Sequence, residues 1–293
     1  MLTLTFLGVG SAFAKRSFQS NALIEAWRRG PHVQPAPDDA LLVDFGTTGA
    51  LALHNLKEVV GFSYLNLDGM AKYPAIPRIF ITHLHGDHIG GLEEFAYMNR
   101  YQAEAITRVR PRAELLASET VLNSLWEQSL RGGLEAMSGR RMSLADYFVP
   151  HPLSRKAGFE FEGFRLLDRY EFSIFPTDHV RIATKYDWPS FGLRIRDAKS
   201  GDTVVYSGDT RFDPEGMSAM LEEAAMVFHD VQLHEHTGTV HALLQELVEL
   251  PWQVRKKTTL YHYGDSWDAE EFDRVWTEFA GFAQPQRRYA LFE

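Results

Sequence analysis

Short apolar runs closed by glycine, proline or an acidic residue recur along the whole chain and predict buried strands punctuated by turns. Leu2 to Leu7 alternates as a first strand and ends in a turn at Gly8 to Ser11. Ser20 to Ile24 and Ala40 to Phe45 read as further strands on either side of a proline-rich loop from Gly30 to Pro37, and Thr47 to Leu56 as a helix. Pro77 to Ile81 is another buried strand, and after a turn at Gly90 and Gly91 the stretch Leu92 to Met98 is helical.

Ala113 to Leu130 carries Leu115, Leu116, Val121, Leu122, Leu125 and Trp126 at helical spacing, which predicts one long helix whose apolar face serves the core or a second copy of the chain. Leu144 to Phe148 fits a short helical turn. Strands follow at Phe159 to Phe161, Glu171 to Phe175, Ser190 to Ile195, Thr203 to Thr210, Ala225 to Asp230 and Thr258 to Asp265. Helices are expected at Pro214 to Glu223, Val240 to Leu250 and Asp268 to Phe282, with a closing strand at Arg288 to Phe292. Gly61 to Pro77 is either a flap or a connecting loop.

With 45% hydrophobic residues and 13% aromatics, 293 residues can bury a large core, so disorder is excluded. The net charge of −9 and the scattering of the basic groups, such as Arg140-Arg141 and Arg287-Arg288, argue against a broad nucleic-acid surface. There is no cysteine, so disulfides and thiolate ligands are unavailable. The first strand has no basic start or long apolar run, and no segment reaches the roughly 20 apolar residues of a membrane span. A soluble cytoplasmic protein is the expectation.

The chemistry concentrates in His83, His85, Asp87 and His88, set on a loop directly after a strand. Imidazole and carboxylate together are a donor set for zinc or a related divalent ion. A single histidine there would be structural more often than not. Four metal-competent side chains crowded together have little structural use, since a buried charge needs a partner.

The string H-x-H-x-D-H resembles the signature of the metallo-β-lactamase superfamily. With F-L-G-x-G-S at Phe6 to Ser11 and the run Leu42 to Gly46, the chain is most similar to the ribonuclease Z branch and its small-phosphodiester relatives. The resemblance implies an α+β fold, the αββα four-layer sandwich with two sheets packed face to face, as a single domain over residues 1–293. It implies that Asp44 orients ligands from beneath the metal loop, although Asp44 could equally cap the helix after it.

It also implies that His179, at a strand end, completes one metal's ligands and that Asp209 of the G-D-T string bridges two; the plain alternative for Asp209 is a helix cap. The implied ligand set gives His83, His85 and His179 to one ion and Asp87, His88 and His262 to the other. Asp209 is shared. Zn²⁺ suits these donors, with Mn²⁺ as the alternative. Two such ions activate water and stabilise in-line displacement at phosphorus.

Asp87 would orient the water. His229 would protonate the leaving oxygen with Asp230 behind it, although His234 and Glu235 lie closer to the branch's H-E-A-T lettering. His241 is a candidate substrate-binding or ligand-orienting residue, or an ordinary helix-start histidine. Tyr64, Trp188 and Phe191 either stack on a base or pack in the core.

The segment from Tyr101 to Asp178 holds nothing like the glycine- and proline-rich arm with which ribonuclease Z grips tRNA. The expected activity is therefore a dinuclear metal-dependent phosphodiesterase acting on small nucleotide phosphodiesters, similar to cyclic-nucleotide-degrading members such as the anti-Pycsar hydrolases. The alternatives are tRNA 3′ processing and hydrolysis of a lactone or thioester on the same metal site. A non-catalytic scaffold is disfavoured because no implied ligand is missing. Relatives of this branch imply a homodimer, with the helix around Trp126 as a candidate contact.

Overall fold

The computed structural model describes residues 1–107, 111–156, 161–182, 188–236 and 238–293. The chain divides into two compact units. The first comprises residues 1–8, 21–154 and 286–293, and the second residues 9–20 and 155–285.

The first unit is built on a seven-stranded sheet in the order Val149–Leu153, Glu114–Ser118, Arg78–Phe80, Asp39–Val43, Asn21–Ala26, Leu2–Gly8, Arg288–Phe292. Leu2–Gly8 and Asn21–Ala26 are buried at every position, so polar residues among them must find partners inside. Glu25 does: the Arg288 guanidinium holds it at 2.9 and 3.0 Å and the Tyr64 hydroxyl donates to it at 2.8 Å. Tyr73 is also buried, edge-on to Phe45 and Phe95. The Gly61 to Pro77 segment is thus a packed connection, and Tyr64 belongs to the core.

The long helix expected from Ala113 is corrected. Glu114–Ser118 is a strand, parallel to Arg78–Phe80 on one side and Val149–Leu153 on the other. A strand paired on both sides and buried on both faces shows an unbroken apolar run, which periodicity cannot separate from a helix. The helix starts only at Glu119, where the Ser118 side chain accepts from the Val121 amide at 3.3 Å. Leu92–Thr107 forms the helix after the metal-competent loop.

In the second unit seven strands run in the order Phe164–Leu166, Tyr170–Thr177, Ser190–Asp197, Thr203–Tyr206, Met226–Asp230, Thr258–Tyr261, Gly281–Phe282. Thr203–Tyr206, Met226–Asp230 and Thr258–Tyr261 are parallel, so their C-terminal ends lie along one edge. Three further expectations change here. Val240 to Leu250 is helical only at Leu244–Leu247, because Ala242 and Leu244 bond to Gln232 on a bridging segment instead. Asp268 to Phe282 breaks into two short turns and the edge strand Gly281–Phe282. Of the strand expected at Phe159 to Phe161, residues 159 and 160 lie outside the described residues, and Phe161 makes one bridge to Arg155. Phe191 is core, edge-on to Phe161 at 5.1 Å, and Trp188 is half-buried. No helix among the described residues is long and apolar enough to cross a membrane.

Candidate active site

In the first unit the strand Arg78–Phe80 delivers residues 81–85, and a short helical turn Gly86–Ile89 follows. This brings His83, His85, Asp87 and His88 together. His83 Nε2 lies 3.0 Å from His85 Nδ1, and His88 Nε2 lies 3.3 Å from Asp87 Oδ2. His83, Asp87 and His88 are buried.

Beneath them is Asp44, fully buried and in the left-handed region at φ 61°. Its Oδ1 accepts from the Thr82 amide at 2.8 Å. Its Oδ2 accepts from the Thr82 hydroxyl at 2.8 Å and from His88 Nδ1 at 2.7 Å. Asp44 therefore orients the loop and does not cap the following helix, whose cap position is Thr48. Burial pushes its carboxyl upward against the lowering influence of His88 and Thr82.

These bonds also set the histidine tautomers. The Thr82 hydroxyl proton points to Asp44, so His83 Nδ1, 3.0 Å from the same oxygen, is the donor and Nε2 keeps its lone pair. His88 likewise spends Nδ1–H on Asp44 and keeps Nε2. Imidazoles held through Nδ1 by an outer carboxylate or hydroxyl fit a divalent metal ion.

The second unit supplies a comparable set from its strand ends. His179 follows Tyr170–Thr177 and donates Nδ1–H to the Val240 carbonyl at 2.8 Å, which leaves Nε2 4.0 Å from Asp209 Oδ2. His262 Nε2 lies 3.4 Å from that same oxygen, and His262 adopts φ 63°, a conformation a non-glycine residue holds only when its surroundings impose it. Asp209 is buried, with its carbonyl bound by Thr177 Oγ1 at 2.9 Å and Ser190 Oγ at 3.2 Å. The helix Pro214–Glu223 is capped by Asp213, whose side chain takes the Gly216 amide, so Asp209 is not the cap. A carboxylate facing two imidazole nitrogens is again a donor set that fits a divalent ion.

Asp230 ends the strand Met226–Asp230 and is fully buried. Its Oδ2 lies 2.9 Å from His241 Nδ1 and 3.3 Å from the Thr210 amide. Its Oδ1 is 3.2 Å from His229 Nδ1 and 3.4 Å from Ser207 Oγ. Burial alone would raise this carboxyl, but hydrogen bonds from His229 and His241 and their positive charge outweigh it and hold Asp230 below the usual range. Burial pushes the nearby Tyr261 phenol up, so it stays protonated and donates to the Gly208 carbonyl at 2.9 Å.

The two histidines bound to Asp230 differ in access. The His229 side chain is 2% exposed and its Nδ1 also lies 2.8 Å from the Asp230 carbonyl, whereas the His241 side chain is 17% exposed. His241 and His262 line a cavity of about 410 Å³. His234 and Glu235, the alternative pair, sit on an exposed bend where His234 Nε2 meets Ser266 Oγ at 2.8 Å.

The Asp230–His241 pairing is the feature sequence reasoning missed. The only signal for it is a histidine shortly after an acidic strand end.

The family described as Anti-Pycsar protein Apyc1 matches residues 2–289. An Anti-Pycsar protein Apyc1 from Paenibacillus harenae is 33% identical over 292 residues, 98% of this chain and 99% of the relative. Among solved structures, the metallo-β-lactamase fold protein YhfI from Bacillus subtilis has a TM-score of 0.64 at 13% identity, over 98% of both chains. Yeast PDE1 has a TM-score of 0.68 at 13% identity, over 98% of this chain and 99% of that one. The structural likenesses show the fold, that of the metallo-β-lactamases.

Proposed function

The chain belongs to the Anti-Pycsar protein Apyc1 family and is a metal-dependent phosphodiesterase, and we propose from that premise that it opens small cyclic nucleotides by hydrolysis. The observation that carries the reading is the buried Asp230 carboxylate holding His241 at the wall of a cavity of small-molecule size.

In this proposal His83, His85 and His179 hold one ion and Asp87, His88 and His262 the other, with Asp209 shared. Support comes from the tautomers fixed by Asp44, Thr82 and the Val240 carbonyl, each of which leaves a histidine lone pair for coordination. When bound, divalent ions supply Lewis acidity towards water and the phosphate oxygens. Zn²⁺ is the proposed ion and Mn²⁺ its alternative, because the donors are nitrogen and oxygen without sulfur.

Asp87 orients the attacking water. Its oxygen bonds to phosphorus while the phosphorus–oxygen ester bond to the leaving sugar oxygen breaks. His241 gives that oxygen its proton from Nε2, and the proton released by water later restores the imidazolium. Asp230 stabilises that imidazolium through Nδ1. In this proposal the donor role expected for His229 passes to His241, since the His229 side chain is almost wholly enclosed and His241 lines the cavity. His229 helps keep Asp230 ionised.

The test is a panel of metal-loaded protein against cyclic mononucleotides, cyclic dinucleotides and pre-tRNA, with products separated chromatographically. Linear mononucleotides from the cyclic substrates are expected. Cleavage of pre-tRNA alone would overturn the substrate class. A cytoplasmic homodimer completes the proposal, checked by light scattering and cell fractionation.

A further inference from the structure

We propose that the ring of Phe13 is the surface on which the substrate's base stacks, which makes it the residue that selects nucleotides over other phosphodiesters. The inference rests on the phosphodiesterase reading above.

Phe13 is 87% exposed, while the next most exposed aromatic among the described residues, Trp252, is 51%. Single exposed apolar residues are common and by themselves mean nothing. Phe13 differs in standing on a turn that is tied at both flanks, beside a cavity that it helps to line. It stands at the tip of a turn closed by the Ala14 amide to the Ser11 carbonyl at 3.1 Å, and the Ser11 amide ties the near flank to the Tyr263 carbonyl at 3.0 Å.

The far flank is tied by Asp265, whose carboxylate takes the Lys15 amide at 2.8 Å and the Arg16 amide at 2.9 Å. Arg16 then grips Asp268 through two bonds of 2.7 Å. A turn tied at both flanks loses little backbone freedom when a flat ligand lies on the ring it carries, which favours stacking.

The wall it forms belongs to the same cavity of about 410 Å³ that His241 and His262 line. A phosphodiester held at those histidines therefore carries its remaining bulk into a space bounded by Phe13, Val231, Leu233 and Gln232. Gln232 has a defined orientation. Its Nε2 lies 2.7 Å from the His234 carbonyl, which can only accept, and 3.1 Å from Thr239 Oγ1, so the amino group is turned there and Oε1 is the atom it offers a ligand. An aromatic face with a fixed acceptor beside it matches a nucleobase, a flat ring with N–H groups on its edge.

The experiment compares wild type, Phe13→Ala and Phe13→Trp, all metal-loaded, on a 3′,5′-cyclic mononucleotide and on methyl riboside 3′,5′-cyclic phosphate, which has the same phosphodiester and no base. Phe13→Ala should raise KM for the nucleotide about tenfold or more with kcat little changed, leave the base-free substrate unaffected, and be rescued by Phe13→Trp. An equal effect on both substrates, or none on the nucleotide, overturns the proposal.

A wild type that turns over no cyclic nucleotide defeats the substrate reading. Stacking is then read from the tryptophan fluorescence of Phe13→Trp during titration with the same nucleotide. Saturable quenching in excess of any shown by wild type supports it, and the absence of such quenching overturns it.

Discussion

Nδ1 of His241 lies 2.9 Å from Oδ2 of Asp230, and the carboxylate is completely buried while the imidazole is not. With Nδ1 engaged by the buried carboxylate, Nε2 is the nitrogen from which His241 can deliver a proton. His241→Ala should then lower kcat by roughly two to four orders of magnitude on a sugar-alkoxide leaving group and far less on p-nitrophenolate, which needs no proton. Steady-state kinetics on a cyclic nucleotide and on bis(p-nitrophenyl) phosphate checks this. Equal losses on the two substrates would remove His241 from proton transfer.

Asp44 touches no substrate in this arrangement, yet three hydrogen bonds converge on it from Thr82 and His88. Asp44→Ala would free the His88 ring to rotate and leave the Thr82 amide buried without its acceptor. Metal affinity should fall by about 10- to 100-fold, measured by competition with a chelating dye. Asp44→Asn keeps an acceptor for the Thr82 amide and tolerates the positive φ, so it should recover much of the thermal stability and little of the metal affinity.

Removing Asp209 tests the shared-ligand assignment. Its carboxylate stands 3.4 Å from His262 Nε2 and 4.0 Å from His179 Nε2, so it can serve donors on both sides. Asp209→Ala should bring bound metal below two ions per chain, as read by plasma mass spectrometry, with kcat down at least a hundredfold. Two tightly bound ions in that variant would show that Asp209 is not a bridge.

The site was legible in the sequence where its residues are contiguous or end a strand. His83, His85, Asp87 and His88 share one loop, and His179, Asp209 and His262 each follow an apolar run, so local pattern singled out all seven of the proposed ligands. The long-range pairing behind them was not legible. His229 is the donor the sequence suggests because it nearly ends a strand, but sequence carries no record that Asp230 also meets His241, which reaches it from a bridging segment that reads as a helix.

The same limit explains the fold. Antiparallel Leu2–Gly8 and Asn21–Ala26 were found within two residues, whereas Glu114–Ser118, buried between two parallel neighbours, was absorbed into the helix that begins at Glu119. Burial on both faces erases the alternation that identifies a strand.

Asp197 gives an acid-stability prediction independent of catalysis. It ends the strand Ser190–Asp197, buried, with Arg169 bound through Nε at 2.8 Å and Nη2 at 2.6 Å and the Lys199 amide at 3.0 Å. The Arg169 bonds, partly opposed by burial, lower its pKa to about 2. A folded-state value below the ordinary carboxylate value means the unfolded chain takes up the proton first, so this stabilisation is fully present above about pH 4 and is lost as pH falls towards 2.

Its size is roughly 2 kcal/mol, from about 1.4 kcal/mol per unit of displacement. Asp197→Asn should be less stable than wild type in urea at pH 7, and the gap should close progressively between pH 4 and pH 2. A gap that stays constant over that window would mean that the Asp197 carboxylate contributes through packing alone.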